Sequence, residues 1–329
     1  MQSLSPFQPR SLVALALGIA TCAAPAAEDA SGYPSRTVTM VVGFAPGGAT
    51  DVSARLLAHK LTQALGKPFI VENRPGANSN IGTEHVVRAR PDGYTLLVET
   101  VANATNMSAY KNPGYDTARD LSPIVQFMSS PSVLVVTPSL PVNDLRSLIK
   151  LAKSRPGQLT FASSGTGGST HLAGELLKMR AGLELVHIPY KGAAPAMADV
   201  IAGHVSVGFM ASLGALAQMR SGQLRPIAVA HPRRLAELPD VPTMAEACLA
   251  DFEVSSWNGL AAPAGTPQPI VDKLNAEVNK ILALPEVQGQ LQVLGARAVG
   301  GSPSQFADHV QAQIRKWREV IQAARITLD

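Results

Sequence analysis

A chain of 329 residues exceeds what one hydrophobic core usually supports, so two domains or one large α/β unit are expected. Hydrophobic residues make up 46% and charged residues 16%, which argues against disorder. Aromatic residues at 5% and a net charge of +4 argue against the stacking platforms and dense basic patches that nucleic-acid binding needs.

The first recognisable segment precedes the folded part. Arg10, an apolar run over 12–20 and small residues over 21–27 have the order of a secretory signal peptide, with cleavage expected after Ala26. The run is too short to span a bilayer. Ile19-Ala20-Thr21-Cys22 loosely matches a lipobox, but Thr21 is unfavourable just before the cut, so a soluble product is expected over one anchored at Cys22. Loss of 1–26 removes Arg10 and leaves 27 basic against 24 acidic residues, a charge of +3. Cys248 is then the sole cysteine, and no internal disulfide can form.

From Arg36 onward, short β-branched runs alternate with helical stretches, as in strand-helix-strand units around a mostly parallel sheet. A strand is predicted over 37–44 and a helix over 51–65, where Val52, Leu56, Leu57, Leu61 and Leu65 share one face. A strand at 69–72, a helix at 81–89 and a strand at 95–99 follow, then a loop containing Asn103, Asn106 and Tyr110. Residues 121–136 are apolar and extended, long enough to pass between lobes. The units restart with helices at 145–153, 171–179 and 194–202 and strands at 159–162, 185–188, 205–209 and 227–230. A second extended crossing occupies 252–261. Thr266 as cap and Pro267 as first residue mark a helix over 270–282, and 285–294 and 303–324 are helical. No internal repeat or flexible linker is evident. Two crossings imply a first domain of 33–130 with 254–329, a second of 131–253, and a hinge between them.

Two strand-turn-helix junctions are rich in glycine: Ala45-Pro46-Gly47-Gly48 before Asp51, and Ser163-Ser164-Gly165-Thr166-Gly167-Gly168-Ser169-Thr170 before His171. Turns without Cβ atoms let backbone N–H groups converge on a ligand while the next helix presents its positive end, so each junction can hold an anion. Such turns also serve as plain tight connections. The many hydroxyls of the second exceed what a connection needs. Asp51 is expected to stabilise its helix, since a carboxylate facing an anion repels it. His171 and Glu175 share a helix face, but there is no HExxH and no spaced Cys/His set, so a zinc site is not expected and His171 is expected to fix a loop. The hydrolase elbow and the third glycine of a dinucleotide fingerprint are missing, so neither a catalytic residue nor a cofactor is expected. Lys191 in Tyr190-Lys191-Gly192 is either a cleft cation or a solvated surface residue. Trp257 is expected in the interior, with the cleft wall as an alternative.

Tyr33-Pro34, Phe44-Ala45-Pro46-Gly47-Gly48 with Asp51, Glu72-Asn73-Arg74-Pro75-Gly76, Pro91-Asp92-Gly93-Tyr94-Thr95-Leu96, the second glycine turn with His171-Leu172, Pro189-Tyr190-Lys191-Gly192 and Ala262-Pro263-Ala264-Gly265-Thr266-Pro267 occur in one order. This set resembles the Bug/TctC receptors, the periplasmic substrate-binding proteins of tripartite tricarboxylate transporters, over essentially the whole chain after the signal peptide. The resemblance implies a type II periplasmic-binding-protein fold, two α/β lobes that close on a small carboxylate. It also implies a periplasmic monomer that is not an enzyme and delivers its ligand to membrane permease subunits or, alternatively, to a sensor protein. By position, Ala45, Pro46, Gly47 and Gly48 would form one wall, assisted by Thr100 and Asn103. Ser163, Ser164, Gly165, Thr166, Gly167 and Ser169 would form the other, with Tyr190 nearby. Two stretches depart from the pattern: Ala77-Asn78-Ser79-Asn80 replaces a more glycine-rich run, and Met210-Ala211-Ser212 stands where many relatives carry an acid. The second departure disfavours a ligand whose ammonium group needs a counter-charge.

Overall fold

The structure is a computed structural model that describes residues 31–328 apart from residue 294. The signal-peptide and Cys22 expectations lie outside the described residues.

The chain runs β1 (Val38–Val42), α1 (Ala49–Leu65), β2 (Phe69–Asn73), α2 (Asn80–Val87), β3 (Thr95–Thr100), α3 (Val101–Ala109), α4 (Thr117–Asp120) and β4 (Leu121–Val136). It continues with α5 (Leu145–Ser154), β5 (Thr160–Ser163), α6 (Ser169–Ala181), β6 (Val186–Pro189), α7 (Ala193–Ala202), β7 (Val207–Ala211), α8 (Ser212–Arg220), β8 (Arg225–Val229) and α9 (Met244–Ala247). The last elements are β9 (Ser255–Pro263), α10 (Gln268–Leu282), α11 (Pro285–Val293), β10 (Arg297–Ala298) and α12 (Pro303–Ala324).

The strands follow one hydrogen-bonded path, β2-β1-β3-β9-β4-β7-β5-β6, with β8 and β10 attached to β4. Pairing is parallel at both ends, β1 with β2 and β3, and β5 with β6 and β7. It is antiparallel in the middle, where β9 lies between β3 and β4. Strand β4 pairs with β9 over Leu121–Pro131 and with β7 from Ser132 onward, so it changes partners halfway along. The two extended crossings read from the sequence are thus neighbours, hydrogen-bonded to each other. The buried side chains of β1, β3, α1 and α10 form one core, and those of α5, α6, β7 and α12 belong to another.

Helix α12 shows why this sequence folds locally as it does. Ser302 accepts the N–H of Gln305 while Gln305 accepts the N–H of Ser302, Pro303 opens the helix, and Phe306, Val310, Ile314, Trp317 and Ile321 recur on its buried face. Phe306 lies on Gly259 of β9: a Cβ built there would come 2.0 Å from the Phe306 ring. Gly259→Ala is therefore expected to destabilise the fold by about 1–3 kcal/mol through overpacking. Denaturant unfolding checks this, and adding Phe306→Leu should return part of the loss.

Two expectations need correction, and one helix was not expected at all. The loop expected around Asn103 and Asn106 is helix α3; both asparagines are buried, and Thr100 caps the helix through a reciprocal pair with Asn103. Thr266 does not cap α10: its hydroxyl donates to Pro263 O, Pro267 holds the cap position, and Gln268 opens the helix. Helix α8 carries no sequence signal because Ala211, at its cap position, has no side-chain acceptor.

Candidate functional site

The two glycine turns are one local structure built twice. Gly47 has φ 86° and Gly48 then caps α1 at φ −77°, ψ 168°; Gly167 has φ 78° and Gly168 caps α6 at φ −78°, ψ 167°. The positive φ at the first glycine of each pair excludes most side chains. In the first turn the Gly47 N–H donates to Asp51 Oδ2 at 2.9 Å, and in the second the Gly167 N–H donates to His171 Nδ1 at 3.0 Å. Each turn is thus locked by the side chain four residues on. Only Gly-Gly and the Thr two positions later, Thr50 and Thr170, are shared in sequence, too little to read as a repeat.

Both locks hold the ionisation state they need. Burial alone would raise the Asp51 pKa, but Arg55, the Gly47 N–H and Asn73 together lower it to about 2. His171 goes down to about 3, through burial first and then His187 and Lys178. A neutral ring is what an accepting Nδ1 requires. His171 stacks on His187 with centroids 3.9 Å apart, and His187 Nε2 is 2.6 Å from the Ser163 hydroxyl.

Strand β9 ties the turns together. Ser256 Oγ lies 2.9 Å from Ser169 Oγ of the second turn, while Thr50 just after the first turn donates to Asn258 Oδ1 at 3.4 Å. The turns therefore face a common space, a cavity of about 310 Å³ walled by Ala49, Ser164, Ser169, Thr170, Ala193, Ala194, Met197, Met210, Ala211, Gly214 and Ser256, among others. Among the described residues no ionisable side chain lines it. Four helices begin on its wall: α1 at Ala49, α6 at Ser169, α7 at Ala193 and α8 after Ala211. Their cap residues, Gly48, Gly168, Gly192 and Ala211, make no side-chain cap. Of the helices that start elsewhere, α3, α4, α5, α9 and α12 are capped by Thr100, Asp116, Asp144, Thr243 and Ser302, while α2 and α10 have no side-chain cap either. First-turn N–H groups and four positive helix ends therefore converge on an otherwise uncharged, partly apolar space. Such a space accommodates an anion with a hydrocarbon body.

Among the residues singled out from sequence, Ser164 and Ser169 stand on the cavity wall, and Gly48 directly precedes Ala49. Ala45, Pro46, Gly47 and Thr166 are exposed on the turns, and Gly165 is half-buried. Ser163 is buried against His187, and the Gly167 carbonyl accepts from Thr105 Oγ1. Thr100 and Asn103 are not brought to the cavity: Asn103 Oδ1 takes the Thr100 N–H, and its Nδ2 donates to Thr83. Tyr190 is turned away as well, donating to Asp199 at 2.5 Å, and its pKa is pushed up to about 12 by burial and by that carboxylate. Lys191 is exposed, and Trp257 is buried. Ala193, Ala194, Ala211, Gly214 and Ser256 were missed. What the alanines and the glycine offer is backbone, which no residue pattern advertises.

Residues 53–326 match the sequence profile of the tripartite tricarboxylate transporter family receptor. The chain belongs to this family. Protein BugT of Bordetella pertussis is 37% identical over 314 residues, 95% of this chain and 96% of BugT. The solved structure of R. palustris Rpa4515 with adipate matches at TM-score 0.81 and 38% identity, covering 90% of this chain and 99% of that one. MatC from Rhodopseudomonas palustris with bound malate matches at TM-score 0.78 and 33% identity over 88% of this chain and 100% of MatC. The architecture is the two-lobed α/β fold of periplasmic binding proteins, and the family is one of solute receptors. The resemblance read from the glycine turns and the Pro-Asp-Gly-Tyr, Pro-Tyr-Lys-Gly and Pro-Ala-Gly-Thr-Pro segments is correct at the level of family and fold.

Proposed function

We propose that this receptor binds a small carboxylate in the cavity between its glycine turns, in the periplasm, and passes it to the membrane subunits of a tripartite transporter. One observation carries the reading: four uncapped helix N-termini surround an uncharged space. A carboxylate at one helix start gains roughly 0.3–2 kcal/mol from the dipole. Several such starts, with direct N–H bonds, account for selective capture without an arginine. The family's transporter association and the relatives solved with adipate and malate support both ligand class and partner. Met197, Met210 and Phe209 give one side of the cavity an apolar surface, which favours a ligand with a hydrocarbon segment, and the absence of an acid at Met210 to Ser212 disfavours an ammonium-bearing one. Residues 33–130 with 254–329 act as one lobe and 131–253 as the other, and closure over the ligand excludes water from the amides.

The test is a melting-shift screen of mono- and dicarboxylates, including adipate and malate, followed by calorimetry and recovery of the ligand. A one-to-one binder recovered unchanged is expected, with stabilisation of about 2.7 kcal/mol at a hundredfold excess over its Kd. Chemical conversion of the bound acid, or no response to any carboxylate, defeats the proposal.

A further inference from the structure

Side chains alternate across a strand, so β4 and β9 present a second face behind the cavity. Ser256 and Asn258 turn toward the glycine turns, whereas Ser255 and Trp257, paired with Pro131 and Ser129, lie on the opposite face. That rear face is not featureless. It floors a cavity of about 410 Å³ whose rim carries Arg233, Arg297, Lys316, His231 and His309 against one carboxylate, Glu253. An adjoining cavity of about 400 Å³ shares Gln126, Val299 and His309 with it.

Two features distinguish this from a solvated basic patch. First, polar atoms are stranded on its walls. Trp257 is 1% exposed and, among the described residues, its indole N–H has no acceptor and Ser255 Oγ and His309 Nε2 are also buried without partners. Buried polar groups left in this state call for a partner from outside the chain, water or a ligand, and here three of them gather on one wall. Second, the two arginines are not spent. Among the described residues neither Arg233 nor Arg297 makes an ion pair or side-chain hydrogen bond; Lys316 Nζ donates to the Glu253 backbone carbonyl and lies 4.9 Å from the Trp317 ring centroid, with no salt bridge to that carboxylate. Burial also pulls Lys316 below its ordinary range, a displacement that a bound anion would reverse.

We infer that the rear of the crossing strands is a second ligand site, for a small polyanion bearing carboxylate or phosphate groups, held by Arg233, Arg297 and Lys316 over the Trp257 indole N–H. Two guanidinium forks and an ammonium match a ligand with at least two negative groups, and forks favour planar carboxylate or phosphate edges. The site is independent of the front cavity, with which it shares no residue.

Trp257 and Trp317 are the only tryptophans, so the indole region of a nitrogen–proton correlation spectrum holds two signals, and Trp317 already donates to Gln313. Citrate and inorganic pyrophosphate are the probes, titrated separately in chloride-free buffer. A saturable movement of the Trp257 signal with one or both is expected, and a response to one alone assigns the carboxylate or the phosphate class. Arg233→Gln with Arg297→Gln should weaken it at least about tenfold, with an unchanged melting temperature showing intact folding. The front-cavity variant Ala211→Asp should leave it in place. The proposal is overturned by no movement up to about 10 mM of either probe, by a response undiminished in the double arginine variant, or by its loss in Ala211→Asp, which would move the binding to the front cavity.

Discussion

Ala211→Asp is expected to abolish binding of carboxylates that carry no ammonium group while leaving the receptor folded. Ala211 occupies the cap position of α8 with φ −57° and ψ 134°, and its neighbours on the wall are the starts of three other helices. Aspartate is among the preferred caps, so the substitution should satisfy a first-turn N–H and cost the fold nothing, with a gain of about 1 kcal/mol possible. Its charge, however, takes the place of the ligand's. Two like charges about 4 Å apart repel by roughly 4 kcal/mol at an effective dielectric of 20, so affinity for a carboxylate without an ammonium group should fall at least about 100-fold, whereas an ammonium-bearing acid, for which the acid many relatives carry here is a counter-charge, should be spared. Ala211→Asn caps the helix without the charge and should stay within about tenfold of the parent. Calorimetry on both variants is decisive: tight binding of a carboxylate without an ammonium group by the Asp variant would remove the helix-terminus account of recognition.

Glu99 predicts the second large effect, on stability against pH. It sits on β3, 1% exposed, with Oε1 lacking a hydrogen-bond partner among the described residues, and burial raises its pKa to about 8. In the unfolded chain it titrates near 4.5, so between roughly pH 4.5 and 8 the folded state binds the extra proton. Stability from this group is complete at low pH and drains away as pH rises. His171 and His187 act in the opposite sense. Burial holds them at about 3 and 4 against an ordinary 6.5, so their contribution is present above pH 6.5 and lost as pH falls toward those values. Just above pH 6.5 the histidines, His309 among them because burial lowers it too, are still partly protonated in the unfolded chain only, so they oppose Glu99 there and the effect of Glu99 is read as a difference between two proteins. The stability difference between the wild type and Glu99→Gln should therefore fall by about 1.4 kcal/mol per pH unit between pH 6.5 and 7.5, the histidine contributions being common to both proteins. Denaturant unfolding at several pH values in this interval measures it. Parallel curves for the two proteins would mean that Glu99 is ionised in the fold.

The sequence by itself determined the family, the order of most elements and the two crossings, because each has a local cause. Short, continuously apolar runs mark β1 and β3, a 3–4 spacing marks α1 and α12, and a Gly-Gly pair whose first member reaches positive φ marks each turn. Composition misled where a polar residue is buried. Asn103 and Asn106 read as loop, yet a network with Thr83, Asn78 and Asn80 satisfies them inside the protein. Tyr190 and Thr100 have the chemistry of ligand contacts, but Asp199 and Asn103 engage them first. Only the tertiary structure decided which helix starts share a space. The insertion of β9 between β3 and β4 brings Ser256 and Asn258 to the two turns, and the starts of α7 and α8 then open on the same cavity. Nothing in Ala193, Ala194 or Ala211 announces this, because the donors are main-chain N–H groups that every residue but proline carries, and where they converge is set by strand order.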